Sequence, residues 1–198
     1  MNTARPALSN PKINWLAAAA SLGVVALATV VLWWMGRIWW CACAGWTPWS
    51  FNIWSSHNSQ HLVDPYTLSH VLHGLVLYGF LLVITGGHWP GLRLFLAVVI
   101  EVAWEVIENT PRVIQAYRES TIALDYNGDS ILNSLADIAA CMAGYAAAGL
   151  LPMWISAVSF GVVELVMIWW IRDSLLLNVL MLFWPVEAVK QWQMGAMP

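Results

Sequence analysis

The sequence predicts an all-α integral membrane protein, a polytopic helical bundle of about five transmembrane helices with a C-terminal interfacial or sixth helix. Of its residues, 60% are hydrophobic and 10% are charged, whereas an ordinary soluble domain has about 45–50% and about 25%. Several apolar segments are long enough to cross the hydrocarbon core. Many of its 15 tryptophans stand at the ends of these segments, as in interfacial aromatic belts. We see no repeat, so the chain is expected to be a single domain, 1–198.

The first half of the chain supplies a tail, three predicted spans and an unusual loop. Residues 1–12 are expected to be a flexible tail, and the apolar run 14–35 is interpreted as a retained anchor because no cleavage site follows it. Residues 36–66 form a tryptophan-rich segment that we expect in the membrane interface. The second span is predicted over 67–84, and after a tight turn the third covers about 92–109.

The second half begins with a polar connection over 112–128. A short acceptor side chain, Asp129 or Ser130, is expected to cap the fourth span, which runs to about residue 150. The fifth span is predicted over 153–171. The remainder, 174–192, is apolar until Glu187 and Lys190, and Pro185 is expected to break it. It is open whether that stretch is an interfacial helix, a re-entrant segment or a sixth span.

Acidic side chains interrupt two of the apolar segments. Glu101, Glu105 and Glu108 fall within about 60° of one another on the third helix. The fourth helix carries a second stripe of polar groups, Asp129, Asn133 and Asp137. Burying carboxylates in hydrocarbon costs several kcal/mol each unless they are paired, protonated or bound to a cation. We therefore interpret the two stripes as a functional site.

Alternating helix directions place both stripes at the same membrane face. The second span starts at that face, so His70 and His73 join the site. The other face has little beyond Arg93 and His88. Basic residues near the N-terminus favour a cytoplasmic N-terminus, which would put the site on the periplasmic side, although several arginines on the site side favour the opposite orientation.

Carboxylate oxygens suit Mg²⁺, Ca²⁺ or Mn²⁺, and imidazole nitrogens shift the preference toward Zn, Fe or Mn. The composition of the stripes therefore predicts a divalent metal site, with Zn, Mn, Fe or Mg as the candidate ions. The alternative is a hydrogen-bonded polar core of protonated carboxyls paired with arginines. The candidate metal ligands are His70, His73, Glu101, Glu105, Glu108, Asp129, Asn133 and Asp137.

The interfacial segment holds two further patterns. His57 and His61 would share one face if they lay on a helix, and could bind a metal or only form hydrogen bonds. Cys41 and Cys43 could bind a soft metal or form a disulfide. Cys141 lies inside an apolar helix and is expected to be inert packing.

Several short motifs combine these residues: Cys41-x-Cys43, Asn58-Ser59-Gln60-His61, Tyr66-Thr67 followed by Ser69-His70-x-x-His73-Gly74, Glu101-x-x-Trp104-Glu105-x-x-Glu108-Asn109, Asp125-Tyr126-x-Gly128-Asp129-Ser130-x-x-Asn133-Ser134-x-x-Asp137, Arg172-Asp173 and Asn178. On these motifs the chain resembles, over nearly its full length, a bacterial inner-membrane family catalogued as domain of unknown function 2585 (UPF0314 type). Ala44 and Leu68 stand where that family usually has Gly and Pro. More distantly, the pattern is similar to VanZ-like membrane proteins. The resemblance implies the architecture and the site residues, but no activity.

The leading hypothesis is a metal-dependent membrane hydrolase or transferase that acts on a lipid or lipid-linked substrate. Its catalytic candidates are Glu105, His73 and Asp129. Candidate headgroup-binding residues are Arg112, Arg118, Arg172 and Tyr126, and further candidates for the site are His57, His61, Asp125, Asp173, Cys41 and Cys43.

Two other functions stay open from the sequence. A transporter or channel could use the carboxylates as a proton or cation relay. A structural subunit or assembly factor could use the polar site only to fix helix packing. Membrane lipid is the expected partner, with a membrane protein or a second copy as a further candidate. No basic tract suggests nucleic acid.

Overall fold

The computed structural model describes residues 15–43, 45–120 and 125–195. The expected tail, 1–12, lies outside these residues. Within them the chain forms no β-strand, only one isolated bridge between Trp49 and Val63. The described helices are α1 (Trp15–Trp34), α2 (Thr67–Ile84), α3 (Pro90–Glu108), α4 (Pro111–Ser120), α5 (Ile131–Leu150), α6 (Met153–Ile171), α7 (Leu175–Phe183) and α8 (Glu187–Met194).

Four of the described helices, α1, α2, α5 and α6, are long and apolar enough to cross a membrane. This confirms the prediction of an all-α protein with membrane-type helices. Helix α3 has a similar length, 19 residues, but it carries Arg93 and three glutamates. Length and composition therefore do not confirm the expected total of five spans.

Helix boundaries in the second half follow local sequence signals. Ser130, one of the two expected caps, lies at the N-terminus of α5, and its hydroxyl accepts a hydrogen bond from the backbone N–H of Asn133 at 3.1 Å. That bond satisfies one of the donors that a helix start leaves open. Pro152 precedes α6, which begins and ends where the apolar run predicts.

The structure corrects one expectation about the connections and narrows the alternatives for the C-terminal stretch. The connection expected over 112–128 contains a helix, α4, whose apolar side chains Ile114 and Tyr117 are buried. The C-terminal stretch is two short helices, α7 and α8, separated at Pro185. Because the nine residues of α7 rise only about 14 Å, α7 is too short for a hydrocarbon core of about 30 Å. Of the alternatives left open for 174–192, a single continuous span does not agree with this break.

Helices α2 and α5 approach each other through glycines. A Cβ atom at Gly74 would collide with the carbonyl oxygen of Cys141, and one at Gly144 would collide with that of Val71. Small residues that allow such backbone contact are typical of membrane helix pairs. This contact holds the first turns of α2, with His70 and His73, against α5.

The segment between α1 and α2 packs onto the N-terminus of α5. The backbone N–H groups of Ser130 and Ile131 donate to the carbonyls of Ser59 and Ile38. The side-chain amide of Asn133 donates to the carbonyl of His61 at 2.8 Å. Trp39, Trp46 and Trp49 of this segment are exposed, as expected of an interfacial segment, whereas Trp40 and Trp54 are partly buried. Its polar residues Asn58, Ser59, Gln60, His61 and Asp64 are buried.

We expect Gly74→Ala to lower the free energy of unfolding by about 1–3 kcal/mol or more, because the added methyl overpacks the contact with α5. The matched control is Gly79→Ala on the same helix, where a Cβ meets no atom within 4 Å. That control should be neutral or slightly stabilising. Thermal unfolding of detergent-purified protein measures both, and equal midpoints for the two variants would contradict the glycine contact.

Candidate functional site

The centre of the site is a cluster of two histidines and one glutamate from α2 and α3. The Nδ1 atom of His70 lies 2.6 Å from Oε1 of Glu101, and Nδ1 of His73 lies 3.1 Å from Oε2 of the same carboxylate. The two imidazole rings meet edge to face, 5.1 Å apart. Glu101 is 1% exposed, so both histidines contact a carboxylate that is shielded from solvent.

Glu105 lies one helical turn further along α3 and has no comparable partner. Its Oε1 atom is 3.4 Å from Nδ1 of His70, and neither carboxylate oxygen accepts a hydrogen bond from the described residues. The Oδ1 atom of Asp137 on α5 is equally buried and unpartnered, while its Oδ2 lies 4.0 Å from Nε2 of His70. Buried acceptors without donors are rare in native structures, and a bound cation is one arrangement that explains them.

The geometry brings together two sets of metal-type donors that share His70. One set is His70, His73 and Glu101, and the other is His70, Glu105 and Glu108. In each set, one donor atom per residue lies within 4.8 Å of the others. Mixed imidazole and carboxylate donors suit Zn, Mn or Fe, so these residues fit a divalent ion.

Asp129 and Asn133, also expected as metal ligands, have other contacts. Asp129 accepts from the side-chain amide of Asn109 at 2.8 Å and from the hydroxyl of Tyr126 at 2.9 Å. Its own backbone N–H donates to Asn109. Burial raises the pKa of Asp129 to about 6, although the hydrogen bonds from Tyr126 and Asn109 lower it. The amide of Asn133 donates to the loop, while its carbonyl oxygen Oδ1 is buried without a partner.

A cavity with an empty volume of about 610 Å³, including its open part, adjoins the cluster. Its polar lining includes His70, His73, Glu108 and Asp137, and the loop adds Asn58 and Ser59. Its apolar lining includes Trp104 of α3 and Leu175 and Val179 of α7. The cavity is therefore amphipathic, with the candidate metal donors on one wall.

The structure places only one of the four candidate headgroup-binding residues at the described lining of the cavity. Tyr126 lines the cavity, whereas the three arginines are not part of its described lining. Arg118 donates to the side chain of Asn127, and Arg172 donates to the carbonyl of Trp192. Arg112 is exposed at the start of α4.

Other polar residues have structural contacts that sequence reasoning left open. Glu164 accepts from the backbone N–H groups of Leu175 and Leu176, at the N-terminus of α7. Asp173 accepts from Ser174 N–H and from the hydroxyl of Tyr66. Burial raises the pKa of Asp173 to about 6, against the lowering effect of these bonds. Asp125 is exposed.

The two patterns of the interfacial segment meet in a second cluster. Cys41, Cys43, His57 and His61 each offer one donor atom, and these atoms lie within 4.8 Å of one another. The sulfurs of Cys41 and Cys43 lie at disulfide-bonding distance from each other, which is one of the two states that the sequence left open for them. This cluster shares no residue with the cluster around His70.

Sequence reasoning did not identify several side chains that line the cavity, among them Asn58, Ser59, Trp104 and Tyr117. Tyr117 lies on the buried face of α4, and its hydroxyl is hydrogen-bonded to Glu108. The amphipathic pattern of residues 111–120 was the sequence signal that could have predicted this helix and its buried face. Asn58, Ser59 and Trp104 stand in the motifs quoted above, but only the folded structure places them at the cavity.

These features define an all-helical protein with membrane-type helices and a buried histidine–carboxylate cluster. The family model described as "Protein of unknown function (DUF2585)" matches residues 32–195. The chain belongs to this family, whose members are also named UPF0314 proteins.

Bacterial relatives are similar over most of their length. A UPF0314 protein of Sinorhizobium fredii is 49% identical over 182 residues, 92% of each chain. One from Rhizobium meliloti is 50% identical over 182 residues, 91% of each chain. One from Paracoccus denitrificans is 46% identical over 174 residues, 88% of this chain and 90% of the relative. No solved structure matches the chain, and the expected similarity to VanZ-like proteins is not shown.

Asn109→Ala should lower the free energy of unfolding by about 1–3 kcal/mol or more, because it leaves the backbone N–H and one carboxylate oxygen of Asp129 buried without partners. The control is Asn127→Ala, an exposed asparagine of the same connection, whose effect should stay within about 0.5 kcal/mol. Denaturant unfolding in detergent compares the two. A loss in the control as large as that in Asn109→Ala would contradict this role for Asn109.

Proposed function

We propose that the protein is a divalent-metal-dependent enzyme of the bacterial inner membrane that acts on a lipid or lipid-linked substrate. The observation that carries this proposal is the carboxylate of Glu105, buried and unpartnered beside His70 next to a cavity. In this proposal α3 is the fifth span, and the cavity lies on the periplasmic side.

Of the two donor sets, His70, Glu105 and Glu108 would hold the ion, which leaves His73 and Glu101 for proton transfer. When bound, such an ion acts as a Lewis acid and lowers the pKa of a bound water. The paired contacts of His70 with two glutamates hold that ring in place. Metal-binding histidines commonly have a carboxylate partner that fixes their orientation.

His73 is the best-placed group to exchange a proton with a substrate. It is half-buried and lines the cavity. Its Nδ1 atom faces Glu101, so Nε2 is the ring nitrogen left for the substrate. A histidine oriented by a carboxylate is a recurrent general base. In this assignment Glu101 positions His73.

The two-sided lining of the cavity supports a lipid or lipid-linked substrate. Trp104, Leu175 and Val179 offer an apolar surface for an acyl or isoprenoid chain, while Asn58 and Ser59 offer hydrogen bonds to a headgroup. Ligand sites of this kind combine apolar walls with a few placed polar groups. Neighbouring helices expose large apolar side chains that a lipid could contact as it enters.

A proton or cation relay across the membrane is less well supported. Such a relay needs polar groups through the thickness of the bilayer. Beyond His73 and Glu101, helices α2, α3 and α5 pack through an apolar cluster of Leu81, Ala97 and Tyr145. That cluster separates the carboxylates from the opposite ends of these helices.

Glu105→Gln should lose one equivalent of bound divalent metal per chain, because an amide oxygen is a much poorer ligand than a carboxylate. The matched control is Glu164→Gln, a buried glutamate on α6 that hydrogen-bonds only backbone N–H groups in the structure. Elemental analysis of detergent-purified wild type and both variants measures the metal, and thermal unfolding checks that each variant is folded.

Equal metal content in wild type and folded Glu105→Gln would overturn the metal site and with it the proposed enzyme. Retained metal in Glu164→Gln together with a loss in Glu105→Gln would support it. Lipid extracts incubated with metal-loaded wild type, beside His73→Gln, then identify the substrate by mass spectrometry. A product formed equally by both proteins would remove His73 from the mechanism.

A further inference from the structure

The second cluster lies in the segment between α1 and α2, and the metal site proposed above does not use it. Two parts of this segment face each other, one with Cys41 and Cys43 and the other with His57 and His61. The Sγ atom of Cys41 is 3.1 Å from Nδ1 of His57, and Sγ of Cys43 is 3.7 Å from Nε2 of His61. Each cysteine therefore has its own histidine.

The surroundings of the cluster orient these groups as ligands. The Nδ1 atom of His61 faces the carbonyl of Thr47, so Nδ1 carries the proton and Nε2 presents its lone pair toward Cys43. The backbone N–H of Cys43 donates to the sulfur of Cys41 at 3.3 Å, which stabilises negative charge on that sulfur. Partners of this kind are typical of the shell around metal ligands.

We propose that Cys41, Cys43, His57 and His61 bind one Zn²⁺ ion in a closed tetrahedral site. Two thiolates and two imidazoles are a common donor set of structural zinc sites. Binding displaces the two thiol protons to solvent, and no oxidation or reduction is involved. Cys41 and His61 are buried, His57 is half-buried and Cys43 lies at the surface. Four protein donors would leave such an ion no open position for substrate.

The zinc ion would fix the part of the loop that reaches the cavity. His57 and His61 flank Asn58 and Ser59, which line the cavity. The carbonyls of Ser59 and His61 in turn accept from Ser130 and Asn133 at the start of α5. A metal bond to both histidines therefore holds the cavity wall against the helix that carries Asp137.

A disulfide between Cys41 and Cys43 is the competing state. The sulfurs lie at disulfide-bonding distance in the structure, so zinc binding requires them to separate as two thiolates. The Cα separation of 5.3 Å permits either state. A disulfide across a single intervening residue restricts the unfolded chain very little, and it gives the two imidazoles no role. The paired histidines and the N–H bond to sulfur favour zinc.

The test uses the full chain in detergent, kept reduced with a phosphine, and Co²⁺ as a spectroscopic probe. Wild type should show thiolate-to-cobalt charge-transfer absorption in the near ultraviolet, and Zn²⁺ should abolish it by displacement. Cys43→Ser should lose this absorption and one equivalent of Zn²⁺. Cys141→Ser, the control for loss of a thiol, and Glu105→Gln should both retain them.

Absence of thiolate-to-cobalt absorption in reduced wild type would overturn the zinc site. The zinc site would also be overturned if protein purified without oxidant contains no zinc at this cluster and its intact mass shows a disulfide between Cys41 and Cys43. The test is independent of the proposed enzyme. If Cys43→Ser loses one metal while Glu105→Gln loses none, the loop site stands and the enzyme proposal fails. If Glu105→Gln loses one metal while Cys43→Ser loses none, the enzyme proposal stands and the loop site fails.

Discussion

The backbone contact between α2 and α5 at Gly74 and Gly144 is the constraint on which the site depends. Neither position has room for a Cβ atom, so the two helix axes lie closer than side chains normally allow. His70 lies one turn from Gly74, and Asp137 lies two turns from Gly144 on the facing helix. The close approach thus brings an imidazole of α2 within 4.0 Å of a carboxylate of α5 and leaves α3 to complete the cluster.

The buried carboxylates of the cluster differ in whether the protein itself provides them with hydrogen-bond donors. Glu101 is balanced by two histidines, and Asp129 by Asn109 and Tyr126, so both are satisfied within the protein. Glu105 is different, because neither of its oxygens accepts a hydrogen bond from the described residues and its nearest basic group is Nδ1 of His70, 3.4 Å from Oε1. A carboxylate left in this condition costs several kcal/mol, and an ion shared with His70 would remove that cost. The carboxylates that are satisfied within the protein, Glu101 and Asp129, therefore support the site, whereas Glu105 is the candidate ligand of an ion.

The loop between α1 and α2 is part of the core and not a passive connection. Its carbonyls satisfy the first N–H groups of α5, which would otherwise be open donors at a buried helix start. Asp64 stabilises the start of α2, since its carboxylate accepts from the backbone N–H groups of Tyr66 and Thr67. A metal bond between the two parts of this loop would therefore act on two helix termini and on the cavity wall together.

The sequence by itself determined the membrane-type helices, because apolar run length and capping residues such as Ser130 act locally. It also determined that His70, Glu101 and Asp137 belong to one end of the bundle, since alternating helix direction requires it. The separate roles of the carboxylates came only from the tertiary structure. Asp129 is hydrogen-bonded to Asn109 twenty residues away, whereas Glu105 accepts no hydrogen bond from the described residues. Helix α4 was missed, because a short amphipathic stretch has no fixed conformation until its partners are in place. The break at Pro185 was visible in the sequence, because proline acts locally. Which side chain pairs with which carboxylate depends on how closely the helix backbones approach each other. The close contact at Gly74 exists only once both helices, α2 and α5, are in place.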